Sequence, residues 1–415
     1  MTSPTDGLRC RECGRLFPPG AFYVCEWCFG PLEVVYDYEA VARRVSRARI
    51  AAGPPSIWRY ADLLPVDPVG AVDLGAGCTP LIRADRLAAE LGLGELWLKD
   101  DTRNPTGSFK DRVTSVALTR ARELGFKVAA CASTGNLANS VAAHAAHAGM
   151  ECYVFVPADL ERTKITMTAV FGARLVAIRG DYDEVNRLCA EIADERDDWA
   201  FVNVNLRAYY AEGSKTLAYE VAEQLGWQLP DHIVVPIASG SLLSKIDKGF
   251  GELPLVGLAD GDRRVRISGA QAAGCAPVAT ALAAGEAVPT PVRPDTIAKS
   301  LAIGSPADGE AALRAVRASS GSIATATDAE IIEAIRLLAR TEGIFAETAG
   351  GVTIASLAKL AQSGVVRHDE RVVACITGTG LKTIEAFGDT LGPSAVIEPS
   401  FGAFTALEES WRNPK

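Results

Sequence analysis

Lys99-Asp100-Asp101-Thr102-Arg103-Asn104-Pro105-Thr106-Gly107-Ser108-Phe109-Lys110-Asp111-Arg112 joins a β-like run to a helical stretch. Asn104-Pro105 and Thr106-Gly107 predict a tight turn between the two. Lys110 then falls near the first turn of the helix, where the partial positive charge of the terminus and nearby cations favour a neutral amine. A neutral amine can form an imine. Taken alone, a lysine at a helix start is more often solvated than reactive, so the reading of Lys110 rests on what surrounds it.

Outward from that stretch, β-rich runs alternate with Ala- and Leu-rich helical stretches from about Thr79 onward. Residues 95–99, 127–131, 151–156, 174–178, 233–236, 265–269 and 371–376 read as strands. This alternation predicts an α/β fold with open, mostly parallel sheets, in which ligands sit beyond the carboxyl ends of strands. Cys131-Ala132-Ser133-Thr134-Gly135-Asn136 closes one run. A loop opening onto a helix N-terminus offers amide donors to an anion, although Ser-Thr-Gly-Asn by itself is equally an ordinary turn with a helix cap. Pro236-Ile237-Ala238-Ser239-Gly240-Ser241-Leu242-Leu243 closes another, and its small residues let backbone amides crowd around a phosphate. Ile376-Thr377-Gly378-Thr379-Gly380-Leu381-Lys382 follows the last run.

The N-terminal segment is a self-contained cysteine unit. Cys10 and Cys13 are separated by two residues, as are Cys25 and Cys28, with Pro18-Pro19-Gly20 between the pairs and a β-like Leu32-Glu33-Val34-Val35-Tyr36 after them. Two such knuckles can surround one tetrahedral ion with four thiolates and no open position, which makes a structural zinc ribbon. Cys78, Cys131, Cys152, Cys189, Cys275 and Cys375 lie in apolar segments and read as small core residues. A short helix near 41–51 and a Pro-punctuated extended arm (Pro54, Pro55, Pro65, Pro68) follow the ribbon.

Composition narrows the partners. The 415 residues are 48% hydrophobic, enough for two or three domains. The net charge of −9 is spread along the chain, and no basic stripe offers a nucleic-acid footprint. No apolar run reaches the roughly 18 residues of a membrane span, and the start MTSPTDGLRC lacks a targeting pattern. The expectation is a cytoplasmic protein acting on a small molecule.

The segment from Asn104 to Arg112 resembles the cofactor-lysine motif of fold-type II pyridoxal-phosphate enzymes, and most of all that of the threonine synthase family. The resemblance implies a tryptophan-synthase-β-like architecture: a zinc ribbon at 1–38, a large cofactor-binding α/β domain from 39–124 and 211–415, and a small mobile α/β domain at 125–210, assembled as a homodimer. It implies that Lys110 carries pyridoxal 5'-phosphate as a Schiff base and moves the substrate's protons, with Phe109 beside the cofactor. Asn136 inherits the contact to the ring hydroxyl, and Ser133, Thr134 and Gly135 the substrate carboxylate. Ser239, Gly240, Ser241, Leu242 and Leu243 match the phosphate cup of the ribbon-bearing threonine synthases, while departing from the glycine-rich cup of many relatives. Thr377 matches the residue whose hydroxyl meets the pyridine nitrogen, a weaker partner than a carboxylate and suited to chemistry at the β and γ carbons. The segments Asn203 to Thr216 and Gly343 to Gly351 resemble an interdomain stretch and a cofactor-flanking loop.

That family converts O-phospho-L-homoserine and water to L-threonine and phosphate, so a second phosphate must be held. Lys99, Thr102, Ser133, Asn205 and Arg207 are the candidate donors, since a dianion wants convergent cations and hydroxyls. A cysteate synthase, a threonine dehydratase or a zinc-ribbon adaptor with an inactive α/β body are the rival readings; the dehydratase needs no second phosphate site, and the adaptor needs no intact Lys110.

Overall fold

The computed structural model describes residues 5–133, 135–158, 162–179, 182–261, 264–390 and 392–412. Three sheets organise residues up to Thr383. The first is antiparallel, in the order β2-β1-β3, from β1 (Thr5–Cys10), β2 (Leu16–Phe17) and β3 (Leu32–Tyr36). It carries the paired cysteines. β3 alternates buried and half-buried residues, the period of a strand with one face on a core.

Next along the chain come β4 (Leu81–Arg83) and β5 (Glu95–Asp100). The chain then leaves to build a separate four-stranded sheet from β6 (Val128–Ala132), β7 (Glu151–Pro157), β8 (Arg174–Ile178) and β9 (Trp199–Phe201), parallel throughout in the order β8-β7-β6-β9. It returns with β10 (His232–Pro236), β11 (Arg266–Ala272), β12 (Ile323–Ala326) and β13 (Arg371–Ile376). These complete a six-stranded sheet in the order β12-β11-β10-β13-β5-β4, parallel except for the antiparallel edge strand β4. Central strands such as β6 (VAACA) and β10 (HIVVP) are buried along their whole length, as strands covered on both faces must be.

The cysteine-bearing sheet is not the self-contained unit expected from the sequence but is built into the body. Leu8, Cys10, Cys25, Leu32, Val34 and Tyr36 bury in the same apolar cluster as Val113, Ala117, Val141 and Val154. A second cluster joins β10 and β13 to the helices Lys215–Gln224 and Ser241–Leu255 through Leu217, Val235, Ile246 and Val373.

The helix expected near 41–51 is two short helices, Tyr38–Ala42 and Arg47–Ala51, capped by Asp37 and Ser46. The arm between the prolines is not simply extended. It holds a 3-10 turn, Ile57–Leu63, that buries Ile57, Trp58, Tyr60 and Leu63. β4, β9 and β12 had no sequence signal because three or four residues are too few to show a period. Residues 384–415 form a separate unit, with a 3-10 segment, Ile384–Thr390, and a helix, Phe401–Arg412, that buries none of its residues. Among the described residues no helix is long and apolar enough to cross a membrane.

Candidate active site

The turn before Lys110 is clamped at both ends. Gly107 has φ +74°, and a Cβ there would lie 2.8 Å from Thr379 Cγ2, so both conformation and space require glycine. Asp111 accepts from Thr106 N at 2.6 Å, from Thr106 Oγ1 at 2.7 Å and from Ser140 Oγ at 2.7 Å. Phe109 N donates to Thr377 O at 2.9 Å, seating the turn on the end of β13. Lys110 thereby opens the helix Lys110–Glu123.

Its amine donates to Tyr210 Oη at 2.9 Å and lies 4.5 Å from the centroid of the Phe109 ring. No carboxylate among the described residues forms a salt bridge with it. Burial lowers its pKa to about 8, with Glu347 opposing the shift. A desolvated amine beside a phenol and a phenyl ring is poised to be neutral, the state a nucleophilic lysine needs.

Glu347 is the hub that sequence reasoning missed. It occupies the N-cap of the helix Thr348–Gln362, yet its carboxylate does not cap that helix. Oε2 instead accepts from Asn136 Nδ2 at 2.8 Å, and Oε1 from Thr377 Oγ1 at 3.5 Å. A Cβ on Gly378 would lie 2.5 Å from Glu347 Oε1, so any larger residue there would displace this carboxylate. Burial raises the Glu347 pKa, against the Asn136 hydrogen bond and the charges of Lys382 and Lys110. The only sequence signal was a lone carboxylate among small residues in the flanking loop Gly343 to Gly351. Tyr210 likewise lies within the segment Asn203 to Thr216 and has no signal of its own.

The expected phosphate cup is a tight turn between a strand and a helix. Gly240 has φ +93°, and a Cβ on it would lie 2.4 Å from Asp308 O. Asp308 N donates to Ser239 O at 2.8 Å. Ser239 Oγ accepts from Ser241 N at 3.4 Å at the start of the 15-residue helix Ser241–Leu255. Leu242 and Leu243 are buried, so what they offer an anion is backbone amide. These features fit a phosphate group, and Lys110 fits an aldehyde. Ser133 Oγ accepts from Gly135 N at 3.3 Å, ahead of the helix Asn136–Ala148. Thr134 lies outside the described residues.

Three expected substrate donors are committed elsewhere. Lys99 is fully buried and donates to Thr79 O at 2.6 Å and Gln224 Oε1 at 2.9 Å while pairing with Glu220 at 2.7 Å, which uses its three N–H groups. Thr102 Oγ1 donates to Asp100 Oδ1 at 2.6 Å. Asn205 ties the end of β9, accepting from Phe201 N at 2.9 Å and donating to Trp199 O at 3.1 Å. Arg207 is 24% exposed and donates to Asp308 Oδ2 at 2.6 Å.

The cysteine unit closes as expected. The sulfurs of Cys10, Cys13, Cys25 and Cys28 all lie within 4.8 Å of one another, with Cys10–Cys28 at 3.4 Å and Cys13–Cys25 at 3.7 Å. Zinc–sulfur bonds of about 2.3 Å set tetrahedral sulfurs about 3.8 Å apart, so the donor set fits one ion.

Residues 72–378 match the family model described as pyridoxal-phosphate dependent enzyme. A threonine synthase of Methanocaldococcus jannaschii is 39% identical over 383 residues, covering 91% of this chain and 93% of its own. One of Methanosarcina acetivorans is 36% identical, covering 95% of this chain and 97% of its own. Among solved structures, maize serine racemase aligns with a TM-score of 0.63 at 20% identity over 80% of this chain and 93% of its own. A processed threonine deaminase isoform of Solanum lycopersicum gives 0.62 at 19% identity, covering 80% of this chain and 82% of its own. At those identities the structures share the fold alone. The chain belongs to the pyridoxal-phosphate-dependent enzymes and, within them, to the threonine synthase family.

Proposed function

We propose that this protein converts O-phospho-L-homoserine and water to L-threonine and phosphate, with Lys110 both holding the cofactor and moving protons. The observation that carries the reading is a partly buried amine with a phenol partner and no ion pair among the described residues, on a turn bonded to the end of β13. Pyridoxal phosphate, when bound, supplies an electron sink for charge developed on the substrate's carbons. Lys110, Asn136, Thr377 and the amides of residues 239–243 would hold it.

The protein's own part is placement and proton transfer. Once free, the Lys110 amine takes the proton from the α carbon and returns protons further along the chain, a base being effective only within hydrogen-bond reach. Tyr210 keeps that amine oriented between transfers. Ser133 and the amides at the start of the Asn136 helix take the carboxylate, as a helix N-terminus does for an anion. Arg207 is the basic residue of the expected donor set with side-chain surface still open, and it takes the departing phosphate.

The four cysteines hold a structural Zn2+, supported by sulfur spacing that suits a tetrahedral ion. Family resemblance supports a cytoplasmic homodimer in which the 125–210 region moves as a small domain.

Release of phosphate with formation of threonine from O-phospho-L-homoserine tests the reading. Release from O-phospho-L-serine instead would replace it with a cysteate synthase reading.

A further inference from the structure

The segment that follows β13 brings a second lysine to the hub at Glu347. Its backbone is pinned on two sides. Gly378 O accepts from Glu347 N at 2.9 Å and Gly380 N donates to Phe345 O at 2.8 Å, while Thr379 N donates to Gly107 O at 2.9 Å in the turn before Lys110. Lys382 ends this segment and is only 6% exposed. Its side chain lies against that turn, since a Cβ on Gly107 would stand 3.6 Å from Lys382 Cε. The Lys382 Nζ is buried and has no hydrogen-bond partner among the described residues.

A buried ammonium without a bonded partner is costly, and only nearby opposite charge offsets its loss of water. Two carboxylates face it, those of Glu347 and Asp111. Asp111 is already occupied by Thr106 N, Thr106 Oγ1 and Ser140 Oγ. Glu347 has more to spare: Asn136 Nδ2 donates to it at 2.8 Å, and Thr377 Oγ1 stands at 3.5 Å. Burial pushes the Glu347 carboxyl up, and the Asn136 hydrogen bond, then Lys382, then Lys110 oppose that push. When Lys110 is committed to the cofactor, the Lys382 ammonium still faces Glu347.

The charge of Glu347 decides how Asn136 is held. A carboxylate only accepts, so it fixes the amide with one Nδ2 hydrogen toward itself and leaves the other for the cofactor's ring hydroxyl. A protonated carboxyl also donates, and it then accepts the amide in either orientation. We infer that Lys382 is a positioning residue of the cofactor site, the buried counter-charge that keeps Glu347 ionised and thereby holds the Asn136 amide toward the cofactor ring. It acts through Glu347 and not on the substrate, so this role is the same whichever amino acid the enzyme turns over.

The test uses the full-length apo-protein and deoxypyridoxine phosphate, which keeps the ring hydroxyl and phosphate of the cofactor but has a methyl group where Lys110 would find an aldehyde. Lys382→Met is expected to weaken binding of this probe about tenfold at neutral pH, the size of one lost charge-assisted hydrogen bond. Affinity that needs an ionised Glu347 is present above the pKa of that carboxyl and lost as pH falls through it. The acid limb of binding should therefore move to higher pH in Lys382→Met, stay near wild type in Lys382→Arg, and vanish in Glu347→Gln. An infrared carbonyl band of a protonated carboxyl should appear in Lys382→Met and be absent from the Lys382→Met/Glu347→Gln double variant. Glu347→Gln carries the test if the methionine variant does not fold. Wild-type affinity in a folded Lys382→Met, or an acid limb that survives Glu347→Gln, would overturn the inference. Weaker binding with an unmoved limb would mean that Lys382 only fills space, and would overturn it equally.

Discussion

Lys99 and Lys110 belong to one short stretch, and burial acts on both amines, yet they have opposite fates. Lys99 is surrounded by acceptors and paired with Glu220, whose own carboxyl is held at about 2 by Arg112 and Lys99 against burial. Arg112 completes the network, reaching Asp101 at 2.7 Å and Glu220 at 2.6 Å. Lys110 has a phenol as its partner. Burial lowers the pKa of both. What separates them is the counter-charge: a fully bonded ammonium stays an ammonium and fixes the helix, while an amine without one is released for chemistry. The spent lysine helps hold the helix on which the reactive one sits.

Substitutions can break this contrast. The largest effect is expected from Lys110→Ala, which should cut turnover at least about a thousandfold, since both proton transfer and covalent attachment are lost. Its near-visible absorbance band should vanish while circular dichroism stays native. Lys99→Met should leave KM unchanged but remove about 3 kcal/mol of stability in urea titration, because it strips one partner from a buried ionic network. A rise in KM without loss of stability would return Lys99 to the substrate. Tyr210→Phe removes the hydrogen bond that orients the amine and should lower kcat by roughly tenfold. The smallest effect concerns pH. Apo-protein should take up pyridoxal phosphate faster as pH rises through about 8, where the Lys110 ammonium loses its proton. The Glu347 charge raises that pKa, so Glu347→Gln should move the midpoint of uptake lower. An upward move would contradict the role given to the Glu347 charge.

Much of this was legible because it is local. The runs at 174–178 and 371–376 are strands with the expected bounds; Lys110, Asn136 and Ser241 open helices, and Thr377 follows a strand, at turns that bear their own small-residue punctuation. The paired cysteines announce themselves by spacing. What stayed hidden depends on partners far along the chain. Glu347 reads as a helix-start acid until its bonds to Asn136 and Thr377 are seen, and Asp308 has no motif at all. Lys99 is harder to read, because a cation at a strand end looks the same in sequence whether its counter-ion is Glu220 or a substrate.

Borohydride reduction of the cofactor-loaded enzyme, followed by peptide mass mapping, tests the central claim most directly, because it fixes the cofactor to whichever amine holds it. The expected result is a single pyridoxyl adduct on the peptide that contains Lys110. An adduct on Lys99 or Lys382, or none on any lysine, would contradict the assignment of Lys110 as the reactive amine.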